Sequence, residues 1–316
     1  MVTGERFYEF SQEVIRAKSL GQPIVALEST VLTHGLPKPQ NMELAGQMEQ
    51  AVRENGATPA TISLLDGKIQ VGMNANQVER LINADAPIKV SLRDFSTCLS
   101  LGRPGGTTVA GTMFAANQAG IQVFATGGIG GVHREAELDI STDLPTLSKI
   151  PVLVVCAGAK SILNLPATLE YLETMGVPVV GYKTDIFPEF YSRGKTLKVG
   201  LRLDSVKDIA RFAYNHWALG LKSGILVTQP VEAEFQIEDD EIIPIIQKVS
   251  AEVVELQRQH RITGQEVTPY ELMRVNELTD GKSLRTNIAF LLNNARLAAK
   301  IAAELNELNP QKFKKA

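Results

Sequence analysis

Lys160 stands in the run PVLVVCAGAKSILNL, Pro151 to Leu165, in which apolar and small residues lead out of a proline and deliver one amine just ahead of a helix-like segment. Three roles are open to an amine so placed: a solvated surface residue, a clamp on phosphate, or a nucleophile. A second reactive candidate is Glu28, where the string VALESTVLTHGLPKPQN turns from an apolar run into polar residues. Desolvation at an apolar strand end raises a carboxyl pKa and suits it to proton transfer; capping a helix or pairing with a buried lysine is the structural alternative. His34, farther along the same string, reads as a hydrogen-bonded loop histidine.

Residues suited to an anion lie elsewhere. IKVSLRDF carries Lys89, Ser91, Arg93 and Asp94 after a short β-branched run, and GGTTVAGTM sets Thr107 and Thr108 at the start of a small-residue helix. The first amides of such a helix favour negative charge, so the two stretches together suit a sugar phosphate. The glycine cluster ATGGIGGVHRE is not a dinucleotide fingerprint, since the sixth position counted from Gly128 is His133. It reads as a tight turn out of a strand that needs positive φ, with His133 and Arg134 adding affinity for phosphate. LDISTDL, with Asp139, Ser141 and Asp143, suits either a helix N-cap or a hard cation held by a few direct contacts and several waters. A phosphate loop is excluded, because Glu189 and Asn276 stand where Gly194-Lys195-Thr196 and Gly281-Lys282-Ser283 would need their first glycine. No HExxH zinc motif occurs.

Short β-branched runs alternate with helical segments and must position these groups. PIVALEST precedes a helix over Asn41 to Asn55, TPATISLL one over Asn74 to Ala84, and IQVFATGG follows one over Thr107 to Ala119; PVLVVCAG precedes PATLEYLETMG. VPVVGYKT, LKVGLRL, a helix over Ser205 to Leu219, and SGILVTQPV extend the alternation to about residue 231. The pattern predicts a three-layer α/β/α sandwich around a mixed, largely parallel sheet. From Asp239 only helices follow: Asp239 to Gln259, Thr268 to Leu278 with Thr268 as cap and Pro269 at the first helical position, and Ser283 to Leu305. With no repeat or low-complexity linker, residues 1–316 are expected to form one domain.

At 316 residues and 44% apolar content the chain has material for a sizeable core, and its formal charge of −3 gives polymeric nucleic acid no basic tract to hold. Two cysteines, Cys98 and Cys156, far apart and in apolar settings, point to a reducing compartment, with the cytoplasm as the expected location. The first twenty residues read as an amphipathic helix rather than a signal peptide. No run approaches the roughly 20 apolar residues of a membrane span.

Taken in order, VALESTVLTHGLPKPQN, GGTTVAGTM, VFATGGIGGVHR, DISTDL, VVCAGAKSIL, TLEYLETMGVPVVGY and SLRTNIAFLLNNA resemble the pseudouridine-5′-phosphate glycosidase family, also called the indigoidine synthase A family, from about residue 7 to about residue 306. The resemblance implies reversible cleavage of pseudouridine 5′-phosphate to uracil and ribose 5-phosphate, a divalent cation, usually Mn²⁺, and a homotrimer. It implies Lys160 as nucleophile, Glu28 as proton donor and Asp139 as metal ligand. Ser141, Thr142 and Asp143 would contact substrate, as would Lys89 and Val109, with Thr108 beside them and with secondary binding roles for His133 and Asn287. One departure stands out: REAEL, between His133 and Asp139, is shorter than the family's usual segment.

The bond in such a substrate joins carbon to carbon, so protonating a leaving oxygen or nitrogen, as ordinary glycosidases do, does not serve. A lysine imine supplies the missing electron sink. Two other classes fit the same residues: a lysine-imine aldolase on a different sugar phosphate, and a non-catalytic sugar-phosphate or nucleotide-binding protein. Release of uracil separates the first reading from both.

Overall fold

Continuous apolar runs such as LVVC and ILVT make strands that are buried on both faces, and strands of that kind need helices above and below them. The computed structural model describes residues 5–134, 139–262 and 264–308. Among these, eleven strands join one sheet: β1 (Tyr8–Phe10), β2 (Ile24–Leu27), β3 (Thr58–Leu65), β4 (Lys68–Val71), β5 (Ile88–Val90), β6 (Gly105–Thr107), β7 (Val123–Ala125), β8 (Leu153–Cys156), β9 (Val179–Tyr182), β10 (Leu201–Leu203) and β11 (Ile225–Thr228). The order is β1-β4-β3-β2-β7-β8-β11-β9-β10, with β6 pairing β3 and β5 off that path. Neighbours run parallel except where β3 meets β4 and β6.

The chain leaves β2 toward β3 and β4 and later returns to lay β7 and β8 on β2's other side. The order therefore reverses between β2 and β7. At such a point the connections leave in opposite directions and open a crevice beyond the carboxyl ends of the strands, where α/β sheets bind ligands. Glu28 follows β2, Thr126 follows β7, and Lys160 lies just beyond β8, all at that end.

Helix Lys282–Glu307 lies across β2, β7 and β8 between helices Gln40–Glu54 and Val206–Ala218, while helix Val109–Gln118 packs on β2, β3 and β7 beside helix Asp143–Leu147. A helical layer on each side of shared strands is the predicted sandwich, and the all-helical C-terminal segment is present as expected. Asn294, fully buried, donates from Nδ2 to the Thr126 carbonyl at 2.8 Å and pins the long C-terminal helix over the switch point. No helix among the described residues is long and apolar enough to cross a membrane.

Two local expectations are corrected. The N-terminal segment is not all helix: Tyr8–Phe10 pairs with Ile69–Val71 as an edge strand before helix Gln12–Ser19 starts at Ser11, whose side chain accepts from the Val14 amide. Pro269 is not the first helical residue, because a 3₁₀ turn over Gly264–Glu266 leads into a helix that begins at Val267. Proline still falls in the first turn, where its missing N–H costs nothing.

Candidate active site

Lys160 is held by backbone pairing. Its N–H donates to the Ile129 carbonyl at 3.1 Å, its carbonyl accepts from Leu163, and the Ala157 N–H donates to Gly127. The segment after β8 thus zips onto the glycine loop after β7. Gly158 makes the turn possible at φ 89°, where a Cβ would strike the Pro188 carbonyl.

The glycine loop itself contradicts the expected positive φ, since among Gly127, Gly128, Gly130 and Gly131 none adopts it. These glycines serve close approach instead. A Cβ on Gly127 would sit 2.8 Å from the Phe290 ring and one on Gly128 2.6 Å from Phe190, while Gly130 and Gly131 press against Ser141 and Thr168.

Glu28 accepts a hydrogen bond from the Thr126 hydroxyl, so the ends of β2 and β7 are joined at this carboxyl. Burial pushes Glu28 up to about 7; the Lys160 charge, the Thr126 hydrogen bond and Lys89 oppose the shift, and Asp143 adds to it. Lys89, on β5, is depressed to about 8 by burial and by Lys160, against the pull of Asp143, Glu28 and Glu271. The predicted acid and the two predicted lysines therefore share one electrostatic environment.

Two chambers meet at these groups. The first is apolar, walled by His34, Leu272, Phe190, Phe290 and Asn287; the second is polar, walled by Ser91, Arg93, Val109, His133, Asp139 and Ser141. Glu28, Thr30, Lys89, Lys160 and Thr268 line both. Thr108 and Thr142 also face the polar chamber, while Asn287, 8% exposed, faces only the apolar one.

Asp143 takes a role its spacing did not show. Its carboxylate accepts from the Ala110 amide at 2.9 Å and the Gly130 amide at 2.8 Å, fastening the glycine loop to the start of helix Val109–Gln118. The anion at that helix N-terminus is thus the protein's own, and Thr108 caps the same end by accepting from Gly111 and donating to the Val90 carbonyl. Asp139 borders the polar chamber half-exposed, with Oδ2 3.9 Å from His133 Nδ1. Burial lowers the His133 pKa, with Lys160 and Lys89, against the Asp139 charge. The shortened segment between them lies, at residues 135–138, outside the described residues. Both cysteines are buried, with Cys156 pushed up to about 12 and Cys98 to about 11, chiefly by burial.

Sequence reasoning missed Phe190, Phe290, Thr126 and Glu271, and set His34 aside; His34 Nδ1 does lie 2.7 Å from the Thr33 hydroxyl, as a satisfied loop histidine would, yet its ring lines the apolar chamber. Phe190 gave no signal, because its φ of 69° and its ring 4.6 Å from Phe290 arise only in the fold. Glu271 did give one. It falls between Val267 and Val275 on the buried stripe of its helix, where a carboxylate has no business unless it meets a partner. It is 4% exposed, and burial pushes it up to about 8 against Lys160 and Lys89.

The sequence model of the family described as indigoidine synthase A like protein matches residues 13–304. A pseudouridine-5′-phosphate glycosidase from Geobacillus kaustophilus (strain HTA426) is 51% identical over 302 residues, which cover 95% of this chain and 99% of that protein. The crystal structure of an indigoidine synthase A-like protein from Thermotoga maritima superposes with a TM-score of 0.86 at 35% identity, over 95% of this chain and 97% of the other. That of the prealnumycin C-glycosynthase in complex with ribulose 5-phosphate superposes with a TM-score of 0.87 at 38% identity, over 97% and 99%. With near-complete coverage in sequence and in fold, the chain belongs to the indigoidine synthase A-like family.

Proposed function

We propose that this protein cleaves the carbon–carbon glycosidic bond of pseudouridine 5′-phosphate, reversibly, to uracil and ribose 5-phosphate. The observation that carries the reading is the meeting of an apolar, aromatic-walled chamber and a polar, cationic one at Glu28 and Lys160. A flat base fits the first and a ribose phosphate the second, which sets the bond between them beside the amine and the acid. The relatives support it: curated proteins about half identical over almost the whole chain bear the glycosidase's name, and a structural neighbour is a C-glycosynthase solved with a pentulose phosphate.

In this reading the Lys160 amine bonds to C1′ as the C1′–O4′ bond breaks, and the proton the amine sheds ends on the ring oxygen. Glu28 then gives its proton to uracil C5. The C1′–C5 electron pair passes into the base, the nitrogen lone pair closes an iminium at C1′, and water hydrolyses it to free the aldehyde and the lysine. Apolar walls keep water from the base while the sugar is still attached.

Among the described residues no three His, Cys, Asp or Glu side chains converge as a metal cluster. Among the described residues, the divalent cation expected from the resemblance would be held by one or two carboxylates completed by water, the usual habit of Mg²⁺ and Mn²⁺, with Asp139 as one ligand. When bound, it supplies positive charge for the sugar phosphate's oxygens.

Incubation with pseudouridine 5′-phosphate and Mn²⁺ tests the function directly: uracil and ribose 5-phosphate should appear in equal amounts. Binding without release would favour the non-catalytic binding protein, and turnover of other sugar phosphates alone the aldolase. The polar chamber makes a second demand. Pseudouridine without its phosphate should lose kcat/KM by about 10²-fold or more, since two charge-assisted hydrogen bonds at about 1.5–3 kcal/mol each are forfeited. Equal kcat/KM for the two compounds would remove Lys89 and Arg93 from phosphate binding.

A further inference from the structure

A groove borders the apolar chamber where the turn Val31–Gly35 meets helices Val267–Leu278 and Lys282–Glu307. The two spaces share His34, Gly35, Leu36, Pro269, Leu272 and Asn287, whereas among the described residues none lines both the groove and the polar chamber. The three spaces therefore lie in a row, with the apolar chamber in the middle. Past the shared residues the groove reaches solvent: Met273 is 52% exposed and the Glu277 side chain 51%. The partition between chamber and groove offers apolar surface from Leu36, Pro269 and Leu272 to the faces of a flat ring, and polar atoms from His34 and Asn287 to its edges.

When the C1′–C5 bond breaks, the sugar stays on Lys160 as an iminium and its phosphate stays in the polar chamber. The junction lined by Glu28, Thr30, Lys89, Lys160 and Thr268 is then filled by that sugar, so the free base cannot pass back through it. We infer that uracil leaves through the groove before the iminium is hydrolysed, and that in the direction of synthesis it enters there after ribose 5-phosphate has bonded to Lys160. Departure of the base also clears the apolar chamber for the water that frees the sugar, which puts base release ahead of hydrolysis. The inference rests on the proposed imine at Lys160, and the test separates the two.

Both native cysteines are buried, so a thiol introduced in the groove can be labelled alone. Met273→Cys and Glu277→Cys are each compared before and after reaction with a pyrene maleimide, with Leu219→Cys, at a position 80% exposed and lining none of the three spaces, as the labelled control. Before labelling, each should turn over as the wild type does. A label in the groove should lower steady-state kcat for cleavage by about 10-fold or more, with a burst of uracil in acid-quenched samples, as slowed release does. In synthesis it should raise the KM for uracil by a like factor, while the KM for ribose 5-phosphate and borohydride trapping on Lys160 stay as they were. The labelled control should show none of these effects. Unchanged kcat and uracil KM in both labelled groove variants overturns the inference, as does a parallel loss of trapping, which would mark damage to the site rather than a blocked path. Wild-type protein that cannot be trapped with ribose 5-phosphate overturns the imine, and the inference with it.

Discussion

Lys160→Ala should abolish uracil release, lowering kcat by about 10⁴-fold or more, the scale on which enzymes lose rate with their nucleophile. Among the described residues no other amine is delivered by a strand end and locked by backbone bonds to the glycine loop in the same way. The trapped intermediate gives a readout independent of turnover. With ribose 5-phosphate and borohydride, the wild-type protein should gain one pentose phosphate, mapped to the peptide VVCAGAKSIL, and Lys160→Ala should gain none. Lys89, which faces the same junction, separates nucleophile from electrostatic anchor: Lys89→Ala should weaken phosphate binding yet still be trapped at Lys160 when ribose 5-phosphate is in excess. An adduct found on Lys89, or uracil released by Lys160→Ala, would reverse the two assignments.

Glu28→Gln should lower kcat by about 10² to 10⁴ with little change in substrate affinity, as loss of a general acid does while shape is kept. Its pH dependence is the sharper test. With its pKa raised to about 7, Glu28 carries its proton below that value and loses it above. Wild-type kcat/KM for cleavage should therefore fall on the alkaline side of about pH 7, and the glutamine variant should lack that limb. Stability follows the same proton. The folded protein holds it over the interval from the ordinary carboxyl value of 4.5 to about 7, where the unfolded chain has released it, so the contribution to stability is full at the acid end and is lost as pH rises. Thermal unfolding of Glu28→Gln should accordingly depend less on pH across that interval. A variant that melts early and turns over normally would make Glu28 a structural carboxyl.

How much of this could be read in advance differs from residue to residue. The β runs at Ile24–Leu27 and Leu153–Cys156 were legible because a strand buried on both faces must be continuously apolar, and the three C-terminal helices because their apolar period is long and broken at Gly264 and Gly281. Edge strand Tyr8–Phe10 was not, since three residues carry no period and its pairing with Ile69–Val71 is long-range. Glu28 and Lys160 could be singled out as polar groups ending apolar runs, a local property of the chain. Their opposition across one junction is not local: it follows from the reversal of strand order between β2 and β7, and many sheet orders are compatible with the same alternation of elements.

By itself, then, the sequence determined most of the element types, the layered α/β class and the candidates for proton transfer and imine formation, because each depends on neighbours a few positions away. Only the tertiary structure decided what those residues pack against and which of them meet. It gave the glycines to close packing rather than to positive φ, and it spent Asp143 on the Ala110 and Gly130 amides. It also brought Phe190 and Phe290 from distant segments to the wall of the apolar chamber, and Glu271 to the cavity behind the polar one. Clearance, amide satisfaction and cavity walls are relations between segments far apart in the chain, and they come into being when the sheet closes its switch point under the last helices.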